Sequence, residues 1–339
     1  MVQAERAESL LHLDEGYQFG LGVFETIAVH DGRPLLFERH MRRLAAGLRF
    51  LGIDGSAIAG GLFARGTAVP FAKSTAAVRQ LVQSEGREYA MMTELADLVL
   101  RSTLDGERRH VSDGRNGEGA GIGNRTGAGH SADTVLKIMV SARNLSFSTR
   151  ANPYERRDPS DAMRLTWSGV RRNETSPLTS HKTLNQGDNI LETKIAKIHG
   201  YDGAVMLNSR SEISETTNAN IFFVRHGGKN PDTEFCGFSL MTPAKDCGLL
   251  PGTLRDWVIA EGAPALGVDV EESHIVPGDL HGFDECFVTN ALMGVWPVAS
   301  IGTYRFPSTR FAESLRARYR SESGIAVSTA TAHSKVECR

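Results

Sequence analysis

Thr179-Ser-His-Lys-Thr-Leu-Asn185 runs into an amphipathic helix, and beyond that helix comes a short hairpin with Ser214-Glu-Thr-Thr-Asn-Ala-Asn-Ile-Phe222. The first stretch sets Lys182 at a loop-to-helix junction, where its amine can point into a cleft. A positive charge near a helix N-terminus meets an unfavourable dipole, so simple solvation is the less natural role there. The second stretch sets Glu215, 33 positions on (215 − 182), in an otherwise apolar and hydroxylic hairpin. The helix between them is expected to bury Ile190, Leu191, Ile195 and Ile198 and to stop at Gly200.

Outward from this centre, Ala204-Val-Met-Leu207 and Ile221-Phe-Phe-Val224 read as strands joined by the Asn208-Ser-Arg-Ser211 turn. A strand near Met163 to Trp167 and the turn-rich Arg172-Asn-Glu-Thr-Ser-Pro177 precede Lys182, and Asn152-Pro153 and Asp158-Pro159 mark a connector. Pro251-Gly252 introduces a helix over Leu254 to Ala260, and Cys286-Phe-Val-Thr289 is a strand running into a loop. Towards the N-terminus, Gly22-Val-Phe-Glu-Thr-Ile-Ala-Val29 alternates as a strand before the Asp31-Gly32 turn. Phe37, Met41, Leu44, Leu48 and Leu51 step by four and three, which is one buried helical face. A helix over Thr75 to Gln83 and strands at Leu98 to Thr103 and Val135 to Ser141 follow from the same reading. Residues 105–133 hold eight glycines and almost no apolar side chains, which predicts a mobile insertion. The division expected is a small α/β domain over 1–155, a larger domain over 156–325, and a disordered tail over 326–339.

Composition narrows the function classes. The chain has 339 residues, 40% of them apolar and 23% charged, which suits two domains of a globular protein. A formal net charge of −2 gives no basic footprint for nucleic acid. No apolar run is long enough to span a membrane, and the start is polar, so neither a membrane segment nor a secretory signal is expected. Cys236, Cys247, Cys286 and Cys338 lack close CxxC or Cys/His spacing, which predicts reduced thiols in a cytoplasmic protein, with no metal and no disulfide framework.

An amine and a distant carboxylate are two of the three things pyridoxal phosphate asks of a protein: the amine for the aldehyde and the carboxylate for the ring nitrogen. The third is a nest of donors for the phosphate. Arg43 offers a planar fork, and Gly252-Thr253-Leu254 opens a helix. Thr289-Asn290-Ala291 follows a strand and adds side-chain and amide donors.

Seven stretches in order resemble the class IV aminotransferase family, the fold-type IV pyridoxal phosphate enzymes. They are Gly16 to Ile27, Phe37 to Leu44, Val170 to Leu178, Lys182 to Asn185, Glu215 to Phe222, Leu250 to Arg255 and Phe287 to Val295. The resemblance implies an α/β, two-domain fold, a small N-terminal domain and a larger C-terminal pseudo-barrel, with the site between domains and completed by a second subunit of a homodimer. It implies Lys182 as the Schiff-base lysine and proton shuttle, and Glu215 as partner of the pyridine nitrogen. Arg43, in the His40-to-Leu44 pattern, falls on the phosphate arginine. Thr253 and Leu254 fall on the amides that cup the phosphate, with Asn290 and Ala291 completing the cup.

Within the family the resemblance is greatest to aminodeoxychorismate lyase, which forms 4-aminobenzoate and pyruvate in folate synthesis. Thr26, in Phe24-Glu-Thr26, aligns with a lyase threonine that acts on departing pyruvate, and Asn290-Ala-Leu-Met293 resembles the lyase phosphate loop. Ala28 stands where many members have arginine, and Phe19 where some aminotransferases have tyrosine. The opening Gly16-Tyr-Gln-Phe-Gly20 is similar to D-amino-acid aminotransferases, so a branched-chain or D-amino-acid aminotransferase is the alternative. In either case the partner is a small amino substrate. Arg101 is a candidate for its carboxylates.

Overall fold

The computed structural model describes residues 12–54, 133–155, 157–158, 160–227, 235 and 237–325. The expected helix over Thr75 to Gln83, the strand at Leu98 to Thr103, Arg101, Cys236, Cys338, the tail, and all of the glycine-rich insertion but Asp133 lie outside them. Two compact units emerge: Met1–Asn152 with Pro177–Gly187, and Pro153–Ser176 with Asp188–Arg339.

In the first unit a five-residue helix α1 (Glu15–Phe19) leads into β1 (Gly22–His30). Asp14 caps α1 by accepting the Tyr17 N–H at 3.0 Å. Asp31 and Gly32, both at positive φ, form the expected turn into β2 (Arg33–Pro34). Then come α2 (Phe37–Leu51), β3 (Thr134–Ser141) and β4 (Leu145–Ala151). The four strands form an antiparallel sheet in the order β2-β1-β3-β4. Strand alternation sends Val23, Ile27 and Val29 of β1 to one face, where they meet Met41, Leu44 and Leu48 of α2 in one buried cluster. That face of α2 is the one its four-and-three spacing predicted.

The segment 177–187 differs from the sequence division, which placed it in the second domain. Thr183 bridges Val23, the Phe24 N–H donates to the Lys182 carbonyl at 2.9 Å, and the Leu184 N–H donates to the Gly22 carbonyl at 2.9 Å. These backbone bonds are long-range, so local pattern could not reveal them.

The second unit contains β5 (Met163–Trp167), α3 (Gly187–Ile198), β6 (Gly203–Leu207), β7 (Ile213–Thr216), β8 (Asn220–Arg225) and β9 (Ser239–Pro243). It continues with α4 (Thr253–Trp257), β10 (Val270–Ser273), β11 (Glu285–Asn290), β12 (Gly294–Ile301), β13 (Tyr304–Arg305) and α5 (Arg310–Glu322). The strands run in the order β10-β9-β8-β11-β12-β5-β6-β7, with β13 on β12. Only residues 217–219 separate β7 from β8, yet four other strands lie between the two in that order. The sheet therefore curls round to bring its last strand back to its third, as a barrel-like sheet must. Phe223, Val288, Val298, Leu165 and Val205 fill the concave core.

Three readings need correction here. The Asn208–Ser211 turn joins β6 to β7, not to β8, because Glu215 has a strand of its own. The helix after Pro251-Gly252 is α-helical only to Trp257 and widens into a π turn over Val258–Gly262. The side of α3 expected to be buried is outside: Ile190, Leu191, Ile195 and Ile198 are 47 to 80% exposed. The helix instead turns Glu192 and Ala196 inward. Ser168 Oγ and the Gly169 N–H both donate to the Glu192 carboxylate, at 2.6 and 2.9 Å, and Thr193 Oγ1 donates to Thr217 Oγ1 at 2.7 Å. These polar anchors decide which face docks on the unit.

Candidate active site

The predicted residues fall into two sets, one in each unit. The first unit holds Lys182, Thr26 and Arg43; the second holds Glu215, Thr253, Leu254, Asn290 and Ala291.

Lys182 lies five residues ahead of α3, on the segment that pairs with the start of β1. Its ammonium sits 4.4 Å from the centroid of the Phe24 ring, a cation–π distance. Phe24 and Thr26 alternate with Val23, Glu25 and Ile27, so they occupy the sheet face away from α2. On β3 the residue directly opposite Thr26 is Lys137, whose ammonium lies 5.4 Å from the same Phe24 ring. Opposite residues of an antiparallel pair share a face. Two ammonium groups thus flank a single aromatic ring, and Thr26 lies on the same sheet face. Lys137 was missed from sequence, although the alternation of its strand marks it: it is half-buried between the buried Leu136 and Ile138.

Behind that face, Glu25 is fully buried and holds the local structure together. Arg43 donates through Nε to one of its oxygens at 2.8 Å and through Nη2 to the other at 2.7 Å. His40 Nδ1 lies 2.7 Å from the second oxygen, and since an ionised carboxylate only accepts, Nδ1 carries the proton. Burial alone would raise the Glu25 carboxyl, but the Arg43 guanidinium and His40 outweigh it and bring it from 4.5 down to about 2. Burial holds His40 below its ordinary value, so at neutral pH the ring is uncharged. The His-x-x-Arg-Leu pattern therefore has a structural meaning that sequence did not show: His40 and Arg43, three residues apart on α2, grip one buried acid. Two of the five N–H donors of Arg43 face that acid.

In the second unit, Glu215 is buried on β7 at 5% exposure, not a solvated strand carboxylate. Arg172 Nη2 pairs with Oε1 at 3.0 Å, while the Leu250 N–H and Asn220 Nδ2 donate to Oε2 at 3.2 and 3.3 Å. A buried charge needs such partners. Arg172 is itself fixed through Nε to the Gly248 carbonyl at 3.1 Å. In sequence it belongs to a turn-rich stretch, and nothing in its spacing announces a partner 43 residues later (215 − 172).

Thr253 and Leu254 open α4 behind Gly252, whose backbone makes no side-chain cap, so backbone amides form this helix start. A Cβ on Gly252 would lie 2.1 Å from Asn220 Oδ1, so only glycine lets the loop pass this close. Asn290 shapes its own loop: Oδ1 accepts the Leu292 and Met293 N–H groups at 3.0 and 2.9 Å, and Nδ2 donates to the Asn218 carbonyl at 3.2 Å. Its carboxamide serves the turn, which leaves backbone amides such as that of Ala291 for a ligand. Next to it, Thr289 Oγ1 is buried with no hydrogen-bond partner among the described residues. A buried acid ringed by donors, a glycine-led helix start and a buried hydroxyl without a partner among the described residues fit a cofactor with a basic ring nitrogen and a phosphate.

Comparison with known proteins agrees. The family profile described as amino-transferase class IV matches residues 121–301, just over half of the chain. The aminodeoxychorismate lyase of Vibrio harveyi is 25% identical over 290 residues, covering 85% of this chain and 86% of its own. The branched-chain-amino-acid aminotransferase of Escherichia coli K12 is 28% identical over 185 residues, 53% of this chain and 52% of its own. The chain spans about two fifths to one half of the length of the first branched-chain aminotransferases it matches. Among solved structures, an aminotransferase from Brucella abortus bound to pyridoxal phosphate superposes with a TM-score of 0.63 at 18% identity, over 93% of this chain and 94% of its own. With the seven ordered stretches, the curled sheet and the profile match all in agreement, the chain belongs to the class IV aminotransferase family.

Proposed function

We propose that this chain is a pyridoxal phosphate-dependent aminodeoxychorismate lyase, forming 4-aminobenzoate and pyruvate for folate synthesis. The observation that carries the reading is the Thr26–Lys137 pair beside Lys182. A substrate with two carboxylates calls for an extra cation near the catalytic amine, and Lys137 supplies one next to a hydroxyl placed to donate a proton. The length of the match to the Vibrio harveyi lyase supports it. The cofactor, when bound, supplies an aldehyde for an amine and a protonated ring that withdraws electrons. In this reading Lys182 is the amine, Glu215 holds the ring nitrogen's proton, and the amides of Thr253, Leu254 and Ala291, with Arg43, are the phosphate ligands. Lys182 Nζ then removes the proton at the aminated ring carbon. The enolpyruvyl group leaves as the ring becomes aromatic, and Thr26 Oγ1 delivers a proton to it.

A branched-chain or D-amino-acid aminotransferase is the second reading, favoured by the slightly higher identity to the Escherichia coli enzyme. Aminodeoxychorismate offered alone, against branched-chain or D-amino acids offered with 2-oxoglutarate, separates the two. Release of 4-aminobenzoate without a keto acid is the expected result; amino transfer alone would overturn the lyase. In the lyase assay Thr26→Gly should lower kcat by about 10²-fold. Lys137→Met should raise KM by about 10- to 100-fold, the worth of one charge-assisted hydrogen bond.

The same proposal includes a homodimer. Ile190, Leu191, Ile195 and Ile198 present four large apolar side chains on one helix of a single chain, and such patches mark interfaces. Sedimentation of the purified protein is expected to give twice the chain mass, and Ile195→Glu with Ile198→Glu to shift it to one; a wild type sedimenting as a single chain at micromolar concentration removes this part. The same proposal places the protein in the cytoplasm. No described helix is long and apolar enough to cross a membrane.

A further inference from the structure

Away from the residues assigned above, three segments of the second unit bring a carboxylate, a thiol and an imidazole together. Glu212 ends the turn before β7, Cys247 closes the short 3-10 turn after β9, and His274 follows β10. His274 Nδ1 lies 3.1 Å from Glu212 Oε1 and 3.6 Å from Cys247 Sγ, and Cys247 Sγ lies 3.6 Å from Glu212 Oε2. Bond lengths of about 2.3 Å to sulfur and about 2.0 to 2.1 Å to nitrogen and oxygen, at tetrahedral angles, put ligand atoms about 3.3 to 3.6 Å apart. The two contacts of Cys247 Sγ, 3.6 Å each, match that size; the His274–Glu212 contact, made by the other carboxylate oxygen, is slightly shorter at 3.1 Å, and the three ligand atoms lie within 4.8 Å of one another.

The surroundings are those of a built metal site. Glu212 Oε2 is held by Asn208 Nδ2 at 2.7 Å and by Arg210 Nη2 at 2.8 Å, which leaves Oε1 turned to the imidazole. The other ring nitrogen of His274 lies 3.4 Å from Asp246 Oδ2, the carboxylate–histidine arrangement that fixes the tautomer of a ligating imidazole. Cys247 is buried, whereas the His274 side chain is 48% exposed, so an ion has an approach from solvent and a fourth position open to water. We propose that Glu212, Cys247 and His274 bind one zinc-class divalent cation. Binding forms the metal–sulfur bond as the thiol proton passes to solvent. The ligands come from segments 35 and 27 residues apart (247 − 212 and 274 − 247), which is why cysteine spacing predicted no metal. The cation ties together two segments that serve Glu215: Glu212 precedes it by three residues on the way into β7, and Cys247 precedes by three the Leu250 whose N–H donates to it.

The test uses full-length, cofactor-loaded protein stripped with chelator and then titrated with cobalt(II), read by visible bands of tetrahedral cobalt at longer wavelength than the cofactor's colour. Zinc affinity follows from competition with a chromophoric chelator. One ion per chain is expected. Cys247→Ser and His274→Gln should each weaken it by about 100-fold or more, and Asp246→Asn by about 10- to 100-fold. Zinc should raise the Tm of the wild type and not that of His274→Gln, whose metal-free Tm matching that of metal-free wild type shows that it is folded. A wild type giving no tetrahedral cobalt spectrum, or Cys247→Ser and His274→Gln binding zinc as tightly as wild type, overturns the site. Neither outcome depends on which reaction the protein catalyses.

Discussion

Lys182→Ala is expected to lower turnover by at least about 10³-fold, whichever substrate proves correct, while leaving the fold intact. The loss is large because the proposed mechanism gives one amine two jobs, holding the cofactor and moving a proton, and general acid–base catalysis alone is worth about 10² to 10⁴. The fold survives because what locks residue 182 in place is backbone: its carbonyl accepts the Phe24 N–H, and the neighbouring Thr183 bridges Val23. Alanine keeps both. The contact forgone with the Phe24 ring is worth about 1 kcal/mol. Lys182→Arg should be as inactive as alanine, since a guanidinium keeps the charge and lacks a nucleophilic amine. Turnover and urea midpoint measured on the same preparations check both halves. Substantial activity in Lys182→Ala removes Lys182 from the mechanism, and a parallel collapse of stability would make it a structural residue.

The second large effect is on stability. Glu25→Gln is expected to cost about 3 kcal/mol at neutral pH, because it leaves the Arg43 guanidinium beside a neutral amide in a buried site. The carboxyl's displacement from 4.5 to about 2 corresponds to the same amount, at 1.36 kcal/mol for each tenfold change. The sign follows from the direction. A folded-state value below the unfolded one means that the contribution is complete above about pH 4.5 and drains away as pH falls towards about 2. Wild type and Glu25→Gln should therefore differ most in urea midpoint at pH 7 and converge by about pH 2. A difference that stays constant over this range would mean that packing, not charge, gives Glu25 its role.

Several elements were legible because their signals are local. The four-and-three spacing of Phe37 to Leu51 gave α2 its buried face, and the Asp31-Gly32 pair gave the first turn. Order of motifs gave the family. What local pattern lacks is the identity of the neighbour. The apolar stripe of α3 was correctly seen as a stripe, but periodicity states only that something covers such a face. The chain's own sheet takes the opposite side, through Glu192 and Thr193. Arg172 and Glu25 were opaque for a related reason: each acts through a partner brought near only by folding. Glu25 even occupies a slot in the alternation of β1 where an apolar residue belongs, so its burial reads as an exception until Arg43 and His40 arrive from α2.

The excursion of Pro177–Gly187 into the first unit has a consequence for anyone wishing to dissect the molecule. The polypeptide changes unit three times, after Asn152, Ser176 and Gly187, so no single scission yields two self-sufficient halves. A fragment ending at Asn152 forfeits the eleven residues that flank the beginning of β1, and the complementary fragment carries them, Lys182 included, as an orphaned loop. Duplication, fusion or swapping of one half against a relative must accordingly move that loop together with its foreign host, or lose it.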